Sequence, residues 1–249
     1  MRERLSTSSP ATKVLGWCSL VALATTAVLG LWISPPDVIQ GEAVRPLYVH
    51  VPAIWVAYIA FITAAVCSVL WLVPRTRNVK WDRIAGASAE IGVVFSGINL
   101  VSGMLWGRIT WGVYWQWDAR LTSALLLFVL FLGYLAVRRT TIEPERRAKR
   151  AAVMALVAAA NIPIVHFSVV WWRTLHQEAS VIRQDLDFEL EGEMLQALGF
   201  GFVAFLLVYG WAVVHRYRLA VLEDQAEERA VAAAIERRRA ELVGAGEVG

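Results

Sequence analysis

Six stretches of this chain stay apolar for close to twenty residues each, over approximately positions 14–33, 47–73, 84–105, 121–137, 151–170 and 195–214. A helix needs roughly 20 apolar residues to cross about 30 Å of hydrocarbon, so every run is of spanning length. Lipid offers the backbone no hydrogen-bond partners, which leaves helices and closed barrels, and the absence of apolar–polar alternation removes the barrel. The predicted fold is all-α: a polytopic integral membrane protein with six transmembrane helices. The first run follows Arg2, Arg4 and Lys13, as a signal peptide would. Its length, and the lack of a small-x-small cleavage site after it, make it an uncleaved anchor.

Short cytoplasmic loops carry an excess of Lys and Arg, so the basic residues predict the orientation. With both termini in the cytoplasm, the outer segments, 34–46, 106–120 and 171–194, hold only Arg45, Arg108, Arg120, Arg173 and Arg183 of the 24 basic residues. All the others fall inside. Residues 1–215 form one membrane domain on this reading, and 216–249 a charged cytoplasmic tail, helical around Leu219, Leu222, Ile235 and Leu242. The net charge of +3, once sorted by side, gives no reason to expect nucleic acid as a partner. Cys18 and Cys67 stand far apart with no C-x-x-C or C-x-x-C-H, which excludes thiol–disulfide exchange, zinc ribbons and covalent c-type haem attachment.

The 12 Trp need an explanation. Trp17, Trp71, Trp81 and Trp211 on the inner side and Trp32 on the outer fit an aromatic belt at headgroup depth. The segment Trp106-Gly-Arg-Ile-Thr-Trp111-Gly112-Val-Tyr114-Trp115-Gln-Trp117-Asp118-Ala-Arg120 is denser than a belt requires. Trp111 and Trp115, four residues apart, are expected to share a helical face, and such a surface suits a flat aromatic ligand. Composition alone leaves belt and platform both open.

Histidine separates them. His50 opens the second span at its outer end and His176 lies in the third outer loop, so the two flank the Trp segment. A planar macrocycle holding iron needs one imidazole above and one below. The structural alternatives are a helix-start role for His50, near Pro52, and an ordinary loop role for His176. His166, three residues after Pro163 inside a span, is a third candidate, and His215 reads as a cytoplasmic helix end. Arg45, Arg120 and Arg173 could pair with propionates, although Arg120 could equally pair with Asp118. Glu90 is an intramembrane acid, and Ser88, Gly92, Ser96, Asn99 and Gly103 have the spacing of a helix-packing stripe. Glu178, Asp185, Asp187, Glu189, Glu191 and Glu193 form an acidic rim on the last outer loop.

These residues resemble the heme exporter protein C (CcmC) family of tryptophan-rich, haem-handling membrane proteins of cytochrome c maturation. Trp-Gly-x-x-x-Trp-Gly-x-Tyr-Trp-x-Trp-Asp-Ala-Arg-Leu-Thr from 106 to 122 is similar to its Trp signature. Tyr-Val-His-Val-Pro at 48–52 and Trp-Trp-Arg-Thr-Leu-His-Gln at 171–177 are similar to its two histidine segments. The resemblance implies that His50 and His176 are axial ligands of haem b. It also implies that Trp106, Trp111, Gly112, Tyr114, Trp115, Trp117, Asp118 and Arg120 contact the haem. The implied site faces the periplasm from the bacterial cytoplasmic membrane. Haem would pass to a membrane-tethered haem chaperone, with a small single-span subunit and ATP-binding-cassette transporter subunits as further partners.

No nucleophile–base pair or Gly-rich phosphate loop is evident, so the expectation is a haem-transfer protein and not an enzyme. It would act by differential affinity, with ligands on loops loading haem and a competing partner removing it. A b-type cytochrome of a quinol-linked complex would instead place paired His on facing helices within the spans. A haem-free permease would account for six spans but would leave the Trp cluster idle.

Overall fold

The computed structural model describes residues 6–141, 143–176 and 192–246, with side chains as far as Arg239. Among these residues every regular element is helical apart from one antiparallel bridge between Asp37 and Gly41. Helix α1 covers Pro10–Val28 and ends in a π turn, Leu29–Ile33; a 3-10 turn follows at Glu42–Val44. Then come α2 (Leu47–Leu72), α3 (Val79–Trp111), α4 (Ala119–Thr140), α5 (Pro144–Ala159), α6 (Asn161–Trp171) and α7 (Gly192–Gly246). Six of the helical stretches, counting α5 and α6 as one, are long and apolar enough to cross a membrane.

Local chemistry sets several of the ends. Ser9 and Thr12 form a capping box at α1, with Pro10 just inside it, where its missing N–H costs nothing. Asn78 caps α3 by accepting from the Lys80 N–H, and Asp118 caps α4 by accepting from Leu121. The fifth apolar run is not one helix. Pro163 has no N–H, and its ring would collide with the Ala159 carbonyl one turn back, so the chain breaks at Ala160 and restarts as α6.

Helix α2 is central and packs against α3, α5 and α7; α4 lies against α3, α5 and α6, and α1 rests on α7. Small side chains allow the close approach. Ala53, Ala57, Ala60 and Ala64 of α2 are completely buried, as is Ser88 of α3, whose hydroxyl donates to the Ala60 carbonyl at 2.9 Å. At Gly92 of α3 a Cβ would stand 2.6 Å from Phe61. Phe61 cannot retreat, because it is stacked on Phe131 at 3.7 Å. Gly92→Ala is therefore expected to cost about 1–3 kcal/mol by overpacking, measured as a lower unfolding midpoint in detergent; an unchanged midpoint would mean that the seam yields.

Thr7, just before α1, and the exit of α7 lie at one end of the bundle. Thr7 accepts at its carbonyl from Arg218 at 2.8 Å, and its hydroxyl bonds the His215 ring at 3.0 Å. At the same end Arg83 pairs with Asp224 at 2.7 Å, Arg138 with the buried Asp82, and Arg216 with Glu90 through two hydrogen bonds. The intramembrane acid is thus neutralised by a cation on a neighbouring helix. With 55 residues, α7 is about 80 Å long at 1.5 Å per residue, so the charged tail is a continuation of the last span and not a separate element. Trp17 and Trp32 are exposed as belt residues should be, but Trp71 is buried against Ala148 and Ala152.

Candidate functional site

The opposite end of the bundle holds a cavity of about 280 Å³ between α2, α3, α4 and α6. His50, Trp106, Trp111, Trp115, Arg120 and His176 all line it. The first six residues of the expected outer loop, 106–111, are helical, because α3 runs on past the apolar run. The helix outlasts the apolar run, and nothing in 106–111 breaks it; Trp106 and Trp111 project from its last two turns. Gly112 stops it with φ +78°, a left-handed conformation that favours Gly. That cap overturns the expectation of a common helical face for Trp111 and Trp115, since the chain changes direction between them. His50 sits in the first turn of α2, at the opening of the second span as expected, and so on a helix and not a loop.

The two imidazoles face each other with ring centroids 6.3 Å apart and planes inclined by 29°. Two imidazoles bound end-on to one metal from opposite sides, with bonds of about 2 Å, have centroids about 6.4 Å apart. Each is flanked by an indole of α3, Trp106 at 5.7 Å from His50 and Trp111 at 5.9 Å from His176, both edge-on. Among the described residues no group of three or more His, Cys, Asp or Glu could hold a bare metal ion. A pair of imidazoles suits a metal whose other positions are already filled, as in a porphyrin.

The indoles grade from buried to exposed. Trp106 is 9% exposed and its Nε1 donates to the Gln40 side chain at 3.0 Å, which fixes that ring in the wall. Trp115 lines the cavity with its indole N–H buried and without a hydrogen-bond partner among the described residues. A buried indole donor usually finds an acceptor, so this N–H is available to a ligand. Trp117, 74% exposed, lies edge-on to Trp115 at 5.5 Å and outside the cavity lining. Tyr114 is also outside it, beneath the Arg108 guanidinium at 5.6 Å.

Asp118 and Arg120 do not pair with each other. Asp118 spends one carboxylate oxygen on the α4 cap and accepts from the Leu175 N–H at 3.1 Å with the other. Arg120 donates to the Val165 and His166 carbonyls at 2.6 and 3.2 Å. Both therefore tie α4 to α6 and the segment that carries His176. Arg120 also lines the cavity, whereas Arg45 is engaged by Glu42 and the Gly30 and Ser34 carbonyls, and Arg173 is exposed. His166 turns to Tyr58, ring to ring at 6.4 Å, and does not line the cavity. Gln177 and the acidic residues Glu178, Asp185, Asp187, Glu189 and Glu191, with Arg183, lie outside the described residues.

The sequence reading treated Asn99 and Gly103 as packing residues, and both border the cavity against His50. Gln40 was not anticipated at all. A polar Asn in a stripe of otherwise small residues was the available signal for the first.

The sequence model of heme exporter protein C matches residues 2–232. The chain belongs to that family. It is 43% identical to heme exporter protein C of Bradyrhizobium diazoefficiens over 174 residues, which is 69% of this chain and 65% of that protein, just under two thirds of the relative's length. It is 37% identical to heme exporter protein C of Haemophilus influenzae over 86% of each chain. Against heme exporter protein C of Escherichia coli K12 it is 34% identical over 84% of this chain and 86% of that one. The matched residues of the heme exporter protein C model include both histidines, the whole Trp segment and most of the α7 extension.

Proposed function

We propose that the protein binds haem b at the outer, periplasmic face of the cytoplasmic membrane and delivers it to a membrane-tethered haem chaperone for c-type cytochrome biogenesis. His50 and His176 are the axial ligands, and the surface of Trp106, Trp111 and Trp115 receives the macrocycle. The observation that carries this reading is the pair of imidazoles 6.3 Å apart at an indole-lined cavity. Family membership supports a role in haem handling for cytochrome c maturation. The distribution of Lys and Arg supports a cavity on the outer side and both termini in the cytoplasm.

Haem brings four equatorial nitrogens and two carboxylates, so the protein need supply only axial ligands, aromatic contact and donors for the carboxylates. The Trp115 N–H and the Arg120 guanidinium are the cavity's candidates for the last task. Release is ligand exchange: an iron–imidazole bond breaks as the partner's donor takes its place, with no change in oxidation state. A small single-span subunit and ATP-binding-cassette subunits complete the proposed assembly, and the protein itself works as a haem carrier and not as an enzyme.

Protein purified in detergent from haem-replete cells should show the Soret band of a low-spin, bis-imidazole haem; a colourless preparation would overturn the reading. Changing Trp115 and Trp117 together to Ala should weaken haem retention by one stacking contact, that of Trp115 in the cavity wall, about 0.5–1.5 kcal/mol, while insertion stays normal. Unaltered retention would reduce these two rings to interfacial anchors.

A further inference from the structure

His50 is held from behind by α3. Its ring lies against the bare backbone of Gly103, where a Cβ would come within 2.8 Å of Cε1 and 3.2 Å of Nδ1. Two acceptors converge on Nδ1: the Asn99 main-chain carbonyl at 3.1 Å and the Ser102 hydroxyl oxygen at 3.2 Å. A carbonyl cannot donate, and the Ser102 hydroxyl already donates to the Ile98 carbonyl at 2.7 Å. The Asn99 carbonyl can accept only from an Nδ1 that carries the proton, and that tautomer leaves the lone pair on Nε2. The Asn99 side-chain amide donates to the His50 carbonyl at 3.1 Å and stands 3.2 and 3.3 Å from the two ring nitrogens. Its contact with Nε2 is one that a metal ion would replace.

We propose that Asn99, Ser102 and Gly103 are positioning residues that hold His50 as the fixed axial ligand, with Nδ1 hydrogen-bonded to α3 and Nε2 left to bind iron. The proposal rests on the haem-binding reading above and adds how one of its ligands is held. His50 is locked by a neighbouring helix on a rigid first turn. His176 follows the end of α6, on a segment steadied by the Leu175–Asp118 bond. Hydrogen bonding at Nδ1–H also raises the basicity of the coordinating nitrogen, which favours the ferric state and lowers the reduction potential.

The test compares Gly103→Ala and Ser102→Ala in the full-length, detergent-purified protein reconstituted with haem b, with Gly97→Ala and Ser102→Thr as controls. Gly97 is on the same helix, and a Cβ there would make only an ordinary 3.6 Å contact with Phe128. Gly103→Ala should weaken haem retention roughly 10- to 100-fold, the range for loss of a supporting contact to a metal ligand, and diminish the bis-imidazole spectrum, while Gly97→Ala behaves as wild type. Ser102→Ala should keep its haem but at a raised midpoint potential, restored by Ser102→Thr. A merely structural role would not move that potential. If His50→Ala loses haem while Gly103→Ala and Ser102→Ala keep wild-type retention, spectrum and potential, the seat is refuted and the haem reading survives. If His50→Ala keeps its haem, the haem reading itself fails. Should Gly103→Ala not insert, the potential of Ser102→Ala decides alone.

Discussion

His50→Ala and His176→Ala should each strip the purified protein of its haem absorbance. The two imidazoles line one cavity with centroids 6.3 Å apart, and no Asp, Glu or Cys is among the described residues that line it. Losing a primary ligand should exceed the roughly 10- to 100-fold penalty for losing a supporting contact. Haem occupancy, read by pyridine haemochrome assay after gel filtration, is the measurement. His166→Ala and His215→Ala are the comparisons, because the first faces Tyr58 and the second bonds Thr7 at the far end of the bundle. Wild-type occupancy in His176→Ala would remove the sixth ligand from the scheme. Loss in His166→Ala with normal folding would move the site deeper between α2 and α6.

The second large effect is at the other end. Asp82 and Arg138 are paired through both carboxylate oxygens, at 2.5 and 3.0 Å, with side-chain exposures of 7% and 17%. Removing one member of such a pair strands a guanidinium away from water, which typically costs 3–5 kcal/mol. Asp82→Ala should therefore unfold in detergent at a markedly lower midpoint than wild type. Asp82→Ala combined with Arg138→Met should recover most of the loss, since the stranded charge is gone and the aliphatic volume is kept. A single variant as stable as wild type would show that water reaches the guanidinium. Glu143→Ala makes the contrast: its Arg146 partner is largely exposed, and such pairs are worth about 0–1 kcal/mol.

Much of this was legible in the chain itself. Apolar length gave six spans, and the dense Trp segment with one His on either side pointed to residues of which His50, Trp106, Trp111, Trp115, Arg120 and His176 line one cavity. What misled was treating the end of an apolar run as the end of a helix. Hydrocarbon thickness limits apolarity, whereas hydrogen bonding limits the helix, and α3 continues through Trp111 until Gly112 adopts a positive φ. The signal was visible as a Gly after a helical run. Pro163 gave the break between α5 and α6 in the same way.

Asn99 and Gly103 show where sequence reading stops. Their spacing with Ser88, Gly92 and Ser96 speaks of close packing, and for Gly92 that is the role, against Phe61. The next turns of the same stripe meet His50 instead, and only the pairing of α2 with α3 decides which neighbour a small residue receives.

The sequence by itself determined that this chain is a helical membrane protein, because the bilayer imposes a length and a polarity on every span whatever surrounds it. Only the tertiary structure decided that His50 and His176 meet. Their approach depends on α2 lying against α3, and on Arg120 and Asp118 drawing α6 and the following segment to α4. Those contacts join parts of the chain distant in sequence, and periodicity within one helix carries no information about the face of another.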